Sequence, residues 1–119
     1  MKIKTADLIG RPLNWAVESS EIERMRAWGE RVKEWWVEEK QSDPTEYSTD
    51  WLWGGEIIER ERIELGSYND QWQATMHMED GSIFERGPTA LIAAMRCHVA
   101  SQMGDEVDVP DSLLTTERN

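Results

Sequence analysis

Cysteine is nearly absent, with Cys97 alone in 119 residues. One thiol can close no internal disulfide and cannot build a cysteine-based zinc site. Its position on a predicted helix, away from that helix's apolar stripe, marks it as a plain thiol. Histidine is almost as scarce, and neither His77 nor His98 has a companion at metal-ligand spacing. His77 falls opposite the Met76 side of a strand and His98 falls off the apolar stripe of its helix, so both are expected at the surface. No metal site and no cofactor are expected. The chain also lacks GxSxG, Walker A, GxGxxG, HExxH and EF-hand patterns. No residue is therefore assigned a catalytic role, and acid pairs such as Glu38-Glu39 and Asp105-Glu106 read as solvated charge.

Long apolar runs are missing too. None approaches the roughly 18 residues that would span a bilayer, and the opening MKIKTADLIGRP has neither the apolar stretch nor the small-residue cleavage site of a secretory leader. The expectation is a cytoplasmic protein with no membrane partner. Basic charge is in short supply, 13 Lys and Arg against 24 Asp and Glu, for a net charge of −11. Residues 1–46 carry ten acids and eight bases, whereas residues 47–119 carry fourteen acids and five bases. Such a surface repels phosphate backbones and anionic lipid and offers no basic stripe, which argues against duplex nucleic acid. The acidity serves solubility, or else makes the chain a decoy for a host protein's DNA-binding surface.

What is present reads as one domain over residues 1–119. The acidic C-terminal tail, 105–119, docks through Val107, Val109, Leu113 and Leu114 and frays at TTERN. An amphipathic helix is predicted from Thr5 with a bend at Gly10-Arg11-Pro12, burying Leu8, Leu13, Ala16 and Val17. Ser20-Glu-Ile-Glu23 has capping-box spacing and opens a second helix to Lys40, carrying Ile22, Met25, Trp28, Val32, Trp35 and Trp36. Pro44 ends it. Residues 56–65 start as a short helix and become a strand. Trp72, Ala74, Met76 and Met78 alternate with polar residues, as a half-buried strand should. Asp80-Gly81 marks a hairpin, and Ser82–Glu85 returns with Ile83 and Phe84 as bulk. A last helix spans Pro88 to Met103 and stops at Gly104. The order predicts an α+β fold, a small antiparallel sheet with a β-hairpin packed by two or three helices.

The last helix carries the strongest functional signal. Ile92, Met95, Val99 and Met103 form an apolar stripe, and Arg96 falls about 40° from Ile92 at 100° per residue. A guanidinium so placed points inward or to the core's rim, where it must meet a carboxylate, backbone carbonyls or a bound anion. Pro88 suits the first turn, Thr89 can cap, and the unpaired N–H groups that follow suit phosphate or carboxylate. Upstream, the loop Tyr47-Ser48-Thr49-Asp50-Trp51, followed by Leu52-Trp53-Gly54-Gly55, concentrates hydroxyls, a carboxylate and aromatic faces beside glycines that permit close backbone approach. The candidate ligand-binding set is therefore Tyr47, Ser48, Thr49, Asp50, Trp51, Gly54, Gly55, Arg86, Gly87, Pro88, Thr89 and Arg96. The plainer alternative is that the hydroxyl residues cap helices and that Arg96 pairs internally, with Asp50 as its partner.

Seven tryptophans are a high load. Trp51, Trp53 and Trp72 fall near the candidate site, and Trp15, Trp28, Trp35 and Trp36 on helix faces. Adjacent Trp35 and Trp36 cannot both face one core, so that helix is expected to leave an indole patch for a homodimer or a partner.

The segments KIKTADLIGRPLNWAV at 2–17, YSTDW with GGEIIERERI within 47–63, and GPTALIAAMRCHVASQMGDEVDVP at 87–110 resemble the NinX-like family of small phage and prophage proteins, a domain of unknown function. The YSTD loop with the terminal helix also looks like the phage α/β/α sandwich domains. The resemblance implies a phage accessory protein acting in the cytoplasm of the infected bacterium, and it brings no catalytic residues. With an anion site, the leading expectation is a binding protein that sequesters a phosphorylated small molecule, such as a cyclic nucleotide used as a host defence signal. The alternatives are an acidic inhibitor that binds a host defence or DNA-processing protein and, third, a small enzyme.

Overall fold

The computed structural model describes residues 1–24 and 44–114. Residues 25–40 of the second predicted helix, with its Trp28, Trp35 and Trp36 face, and the TTERN end lie outside the described residues.

The chain opens with a strand. β1 (Lys2–Lys4) pairs antiparallel with β5 (Glu106–Asp108), setting Ile3 opposite Val107. The amino terminus adds bonds of 2.9 Å to the Asp108 carboxylate and the Val109 carbonyl. A helix starting at Thr5 is thereby corrected, because Thr5–Asp7 forms only a 3-10 turn. Thr5 is buried, its hydroxyl donating to the Gly104 carbonyl at 2.6 Å and its N–H to that of Asp105 at 2.7 Å. These bonds tie it to the far end of the chain. Gly10, at φ 64°, turns the backbone into α1 (Gly10–Arg24), with Pro12 in the first turn where a missing N–H costs little.

The capping box at Ser20 is corrected as well. Ser20 lies inside α1, and its hydroxyl donates to the Ala16 carbonyl at 3.1 Å. Both Ser20 and Glu21 are buried, so tertiary packing carries the helix through a sequence that reads locally as a start.

α2 (Trp51–Glu61) begins at Asp50, whose carboxylate accepts from the Leu52 N–H at 3.0 Å, and stops where Arg62 adopts the left-handed conformation. A meander follows: β2 (Glu64–Tyr68), β3 (Gln71–Met78) and β4 (Gly81–Gly87), in the spatial order β2-β3-β4. Of the alternating set, Ala74 and Met76 are buried as the period-two pattern predicts, whereas Trp72 and Met78 towards the strand ends are exposed. The turn residues are Glu79 and Asp80, one position earlier than expected, with Gly81 paired to Met78. Ile83 packs on the core, but Phe84 is 55% exposed, which corrects its assignment as core bulk. Adjacent strand residues face opposite sides, and only one side of this sheet is packed by α3.

α3 (Ala90–Met103) lies against the sheet, with α1 and α2 also packed on it. Every residue from Leu91 to Ala100 is buried. It is the central element, enclosed all round rather than along one stripe. His98 is consequently 2% exposed, overturning its expected surface position, whereas His77 does sit in the open. Met95, Val99, Ile57, Leu13, Val17 and Met76 join the strand pair's Val107 in one core.

Candidate functional site

Arg96 points inward and finds backbone carbonyls. Its Nε donates to Leu8 and its Nη1 to Arg86, both at 2.7 Å. Burial lowers its pKa, against the opposing fields of Glu85 and Asp7, and a guanidinium starting so high remains a cation at neutral pH. Asp50 is not its partner, since that carboxylate caps α2.

Arg96 lines a cavity of about 320 Å³ with Ala6, Gln71, Phe84, Glu85 and Arg86. Arg86 crosses the open face of the sheet. Its guanidinium lies 4.0 Å from the Tyr68 ring centroid and 5.9 Å from that of Phe84, and its Nε donates to Gln73 at 3.1 Å. Among the described residues, Nη2 of Arg96 and both terminal nitrogens of Arg86 have no hydrogen bond. Two cationic forks thus border one cavity with donors to spare. Glu85 carries the counter-charge, its pKa raised by burial and by Asp105 against the pull of Arg96.

The 47–51 loop meets the start of α3 elsewhere. Ser48, Thr49 and Trp51 line a second cavity of about 230 Å³ with Thr89, Ala90, Leu91 and Ile92. Thr89 caps α3, accepting from the Ile92 N–H at 3.1 Å. Pro88 precedes it, exposed. The glycines serve close packing: a side chain at Gly54 would strike Tyr47 and Leu91, one at Gly87 the backbone of Ala93, and Gly55 lies under the Trp51 ring. The candidate residues therefore divide, Arg86 and Arg96 bordering one cavity and the loop with Thr89 bordering another.

A third cluster escapes the sequence reading. Asn14, Glu18 and Glu21 form a buried polar stripe on α1 at helical spacing. The Asn14 side-chain oxygen Oδ1 accepts from both the N–H and the hydroxyl of Ser48, at 2.9 and 2.7 Å. Glu18 accepts from the Thr45 N–H at 2.9 Å and the Tyr47 hydroxyl at 3.3 Å. Burial first, then the Glu18 charge, raises the Tyr47 pKa. Glu21 takes a two-pronged bond from Arg60, and its Oε2 lies 3.4 Å from His98 Nε2. That separation allows attraction, but neither ring nitrogen makes a hydrogen bond among the described residues. Burial pushes the Glu21 carboxyl up, yet His98 and Arg60 outweigh it and hold the pKa at about 2. The available signal was the spacing of Asn14, Glu18 and Glu21, which otherwise reads as a solvent face.

Among the described residues no group of His, Cys, Asp and Glu could hold a metal ion, and no helix is long and apolar enough to cross a membrane. No curated protein matches the chain. The family model described as "Bacteriophage P22, NinX" matches residues 4–102. That span runs from the end of β1 almost through α3 and includes both cavities and the buried polar cluster, so the chain belongs to the phage NinX family.

Proposed function

We propose that this phage protein binds a small phosphorylated molecule in the Arg86 and Arg96 cavity and withholds it from a host pathway, a nucleotide-derived defence signal being the class that fits best. The observation that carries this reading is the pair of guanidiniums bordering one cavity with unused N–H groups. Arginine forks match phosphate oxygens in charge and geometry. Phe84 offers a partly exposed aromatic face to a base, while Gln71 and Glu85 supply polar groups for a sugar or an exocyclic amine. The net charge of −11 opposes a long polyanion but penalises a single nucleotide far less, which favours a small ligand over a nucleic acid strand. A cavity of about 320 Å³ is on the scale of small-ligand sites.

The test is a thermal-shift screen of nucleotides and cyclic nucleotides, followed by calorimetry. Arg86→Ala is the informative variant, because the Arg86 side chain makes only one hydrogen bond among the described residues, and the substitution keeps the backbone carbonyl that Arg96 needs. Stabilisation of the wild type, its loss in Arg86→Ala, and recovery of the ligand unchanged after denaturation are expected. Absence of any phosphorylated ligand, or undiminished binding by Arg86→Ala, would overturn the site. Recovery of a converted ligand would replace sequestration with catalysis.

A further inference from the structure

The second cavity opens beside the most exposed run of large apolar side chains among the described residues. At the start of α2, Trp51, Leu52 and Trp53 are 56, 73 and 45% exposed. They are held in place. The Trp51 ring lies against Gly55, Trp53 meets Tyr47 edge-on at 6.5 Å between centroids, and Asp50 fixes the helix start. A solvated, preorganised indole pair is costly to leave uncovered and resembles the anchors around which protein interfaces form.

The charge around the patch selects its occupant. Residues 44–59 contain Glu46, Asp50, Glu56 and Glu59 and no lysine or arginine. The following Arg60 is engaged by Glu21 and Glu61. A second copy of the chain is disfavoured, because a two-fold contact would bring this acidic rim near itself. The adjoining cavity, walled by Trp51, Ala90, Leu91 and Ile92, has room at about 230 Å³ for one aliphatic side chain. We propose that this face docks a basic, amphipathic segment of a partner protein, its Lys or Arg side chains over the acidic rim and one Leu, Ile or Met in the cavity. The surface is separate from the Arg86 and Arg96 cavity and stands or falls independently of it.

The probe is a synthetic helical peptide alternating Leu with Lys and Arg, titrated into the intact protein by calorimetry, with the indole N–H signals of Trp51 and Trp53 followed by NMR. Saturable binding is expected, with those two signals moving and with affinity falling as salt rises. Leu52→Asp, at an exposed position that leaves the core untouched, should weaken binding about tenfold or more while preserving circular dichroism and Tm. A peptide with the same charges and Ser in place of Leu should lose most of its affinity. Equal binding of that Ser peptide would reduce the effect to general acidity and overturn the proposal. So would a tie between the basic peptide and an acidic counterpart, indifference to Leu52→Asp, or self-association of the free protein that Leu52→Asp abolishes.

Discussion

Arg60 grips Glu21 through both terminal nitrogens, Nη1 to Oε1 at 3.0 Å and Nη2 to Oε2 at 2.7 Å, and so ties the last turn of α2 to the last turn of α1. His98 presses on the same carboxylate from α3. Three helices converge on one charge. Removing Arg60 leaves that carboxylate largely buried with weakened compensation, so Arg60→Ala should destabilise the fold by about 2–4 kcal/mol. Urea denaturation at pH 7 measures it, and a loss below about 0.5 kcal/mol would mean that solvent replaces the arginine at no cost.

The same carboxylate sets a pH dependence. Glu21 is held at about 2 in the fold, well below the 4.5 of an ordinary glutamate carboxyl. A carboxyl depressed by folding stabilises above its unfolded pKa and loses that contribution as pH falls through the folded one. The window therefore runs from about pH 4.5 down to about pH 2, and the shift corresponds to an order of 3 kcal/mol. Urea midpoints across this range should fall steeply for the wild type and more shallowly for Glu21→Gln. Parallel curves would place the acid sensitivity in other carboxylates.

Cys97 predicts a kinetic behaviour. It is fully buried on α3, with its Sγ 3.4 Å from the Ile83 carbonyl, and burial with the nearby Glu85 charge pushes the thiol up to about 12. The reactive thiolate is therefore scarce at pH 8. A disulfide-exchange reagent should leave the native protein unmodified and label it fully in urea. Rapid native labelling at pH 8 would contradict the packing of α3 on β4.

Much of this fold is legible in local sequence, and the exceptions share a cause. The alternation around Ala74 and Met76 identified β3, and Thr89 and Gly104 bracketed α3, because each signal depends on neighbours in the chain. The start of α2 was not legible in this way: the sequence points to a hydroxyl cap and a helix from residue 56, whereas Asp50 is the cap and the helix begins at Trp51. The failures arise where distant segments decide. Ser20 resembles a cap but is buried in mid-helix, and Thr5 bonds to Gly104 and Asp105 nearly a hundred residues away. His98 seemed to face solvent because an amphipathic stripe was assumed for a helix that is enclosed on all sides. The inward direction of Arg96 was readable from periodicity. Its carbonyl partners, Leu8 and Arg86, were not, since backbone acceptors leave no mark in side-chain identity.

Those partners separate two roles for Arg96. As a structural bridge it satisfies two carbonyls, and Arg96→Met should leave them short of donors at a cost of about 2–4 kcal/mol. Arg96→Lys keeps the charge but lacks the fork that reaches both acceptors, so it should recover only part of that loss. Denaturation midpoints without ligand test the bridge alone. A neutral Arg96→Met substitution would mean that the guanidinium is held for binding rather than for the fold.

Asp50 and Arg96 provide the last test, because sequence alone made them attractive partners. Among the described residues the Asp50 carboxylate caps α2, accepting from Leu52, while Arg96 bonds to Leu8 and Arg86. Asp50→Ala should cost about 1 kcal/mol, the usual value of an N-cap, and Asp50→Asn should retain most of it because the amide oxygen can also accept. Asp50→Ala and Arg96→Met should add within about 0.5 kcal/mol, as independent sites do. A double-mutant cycle by urea denaturation reads this directly. Coupling above about 1 kcal/mol would reinstate the ion pair and require the 47–51 loop to approach the Arg86 and Arg96 cavity, joining the two cavities into one site.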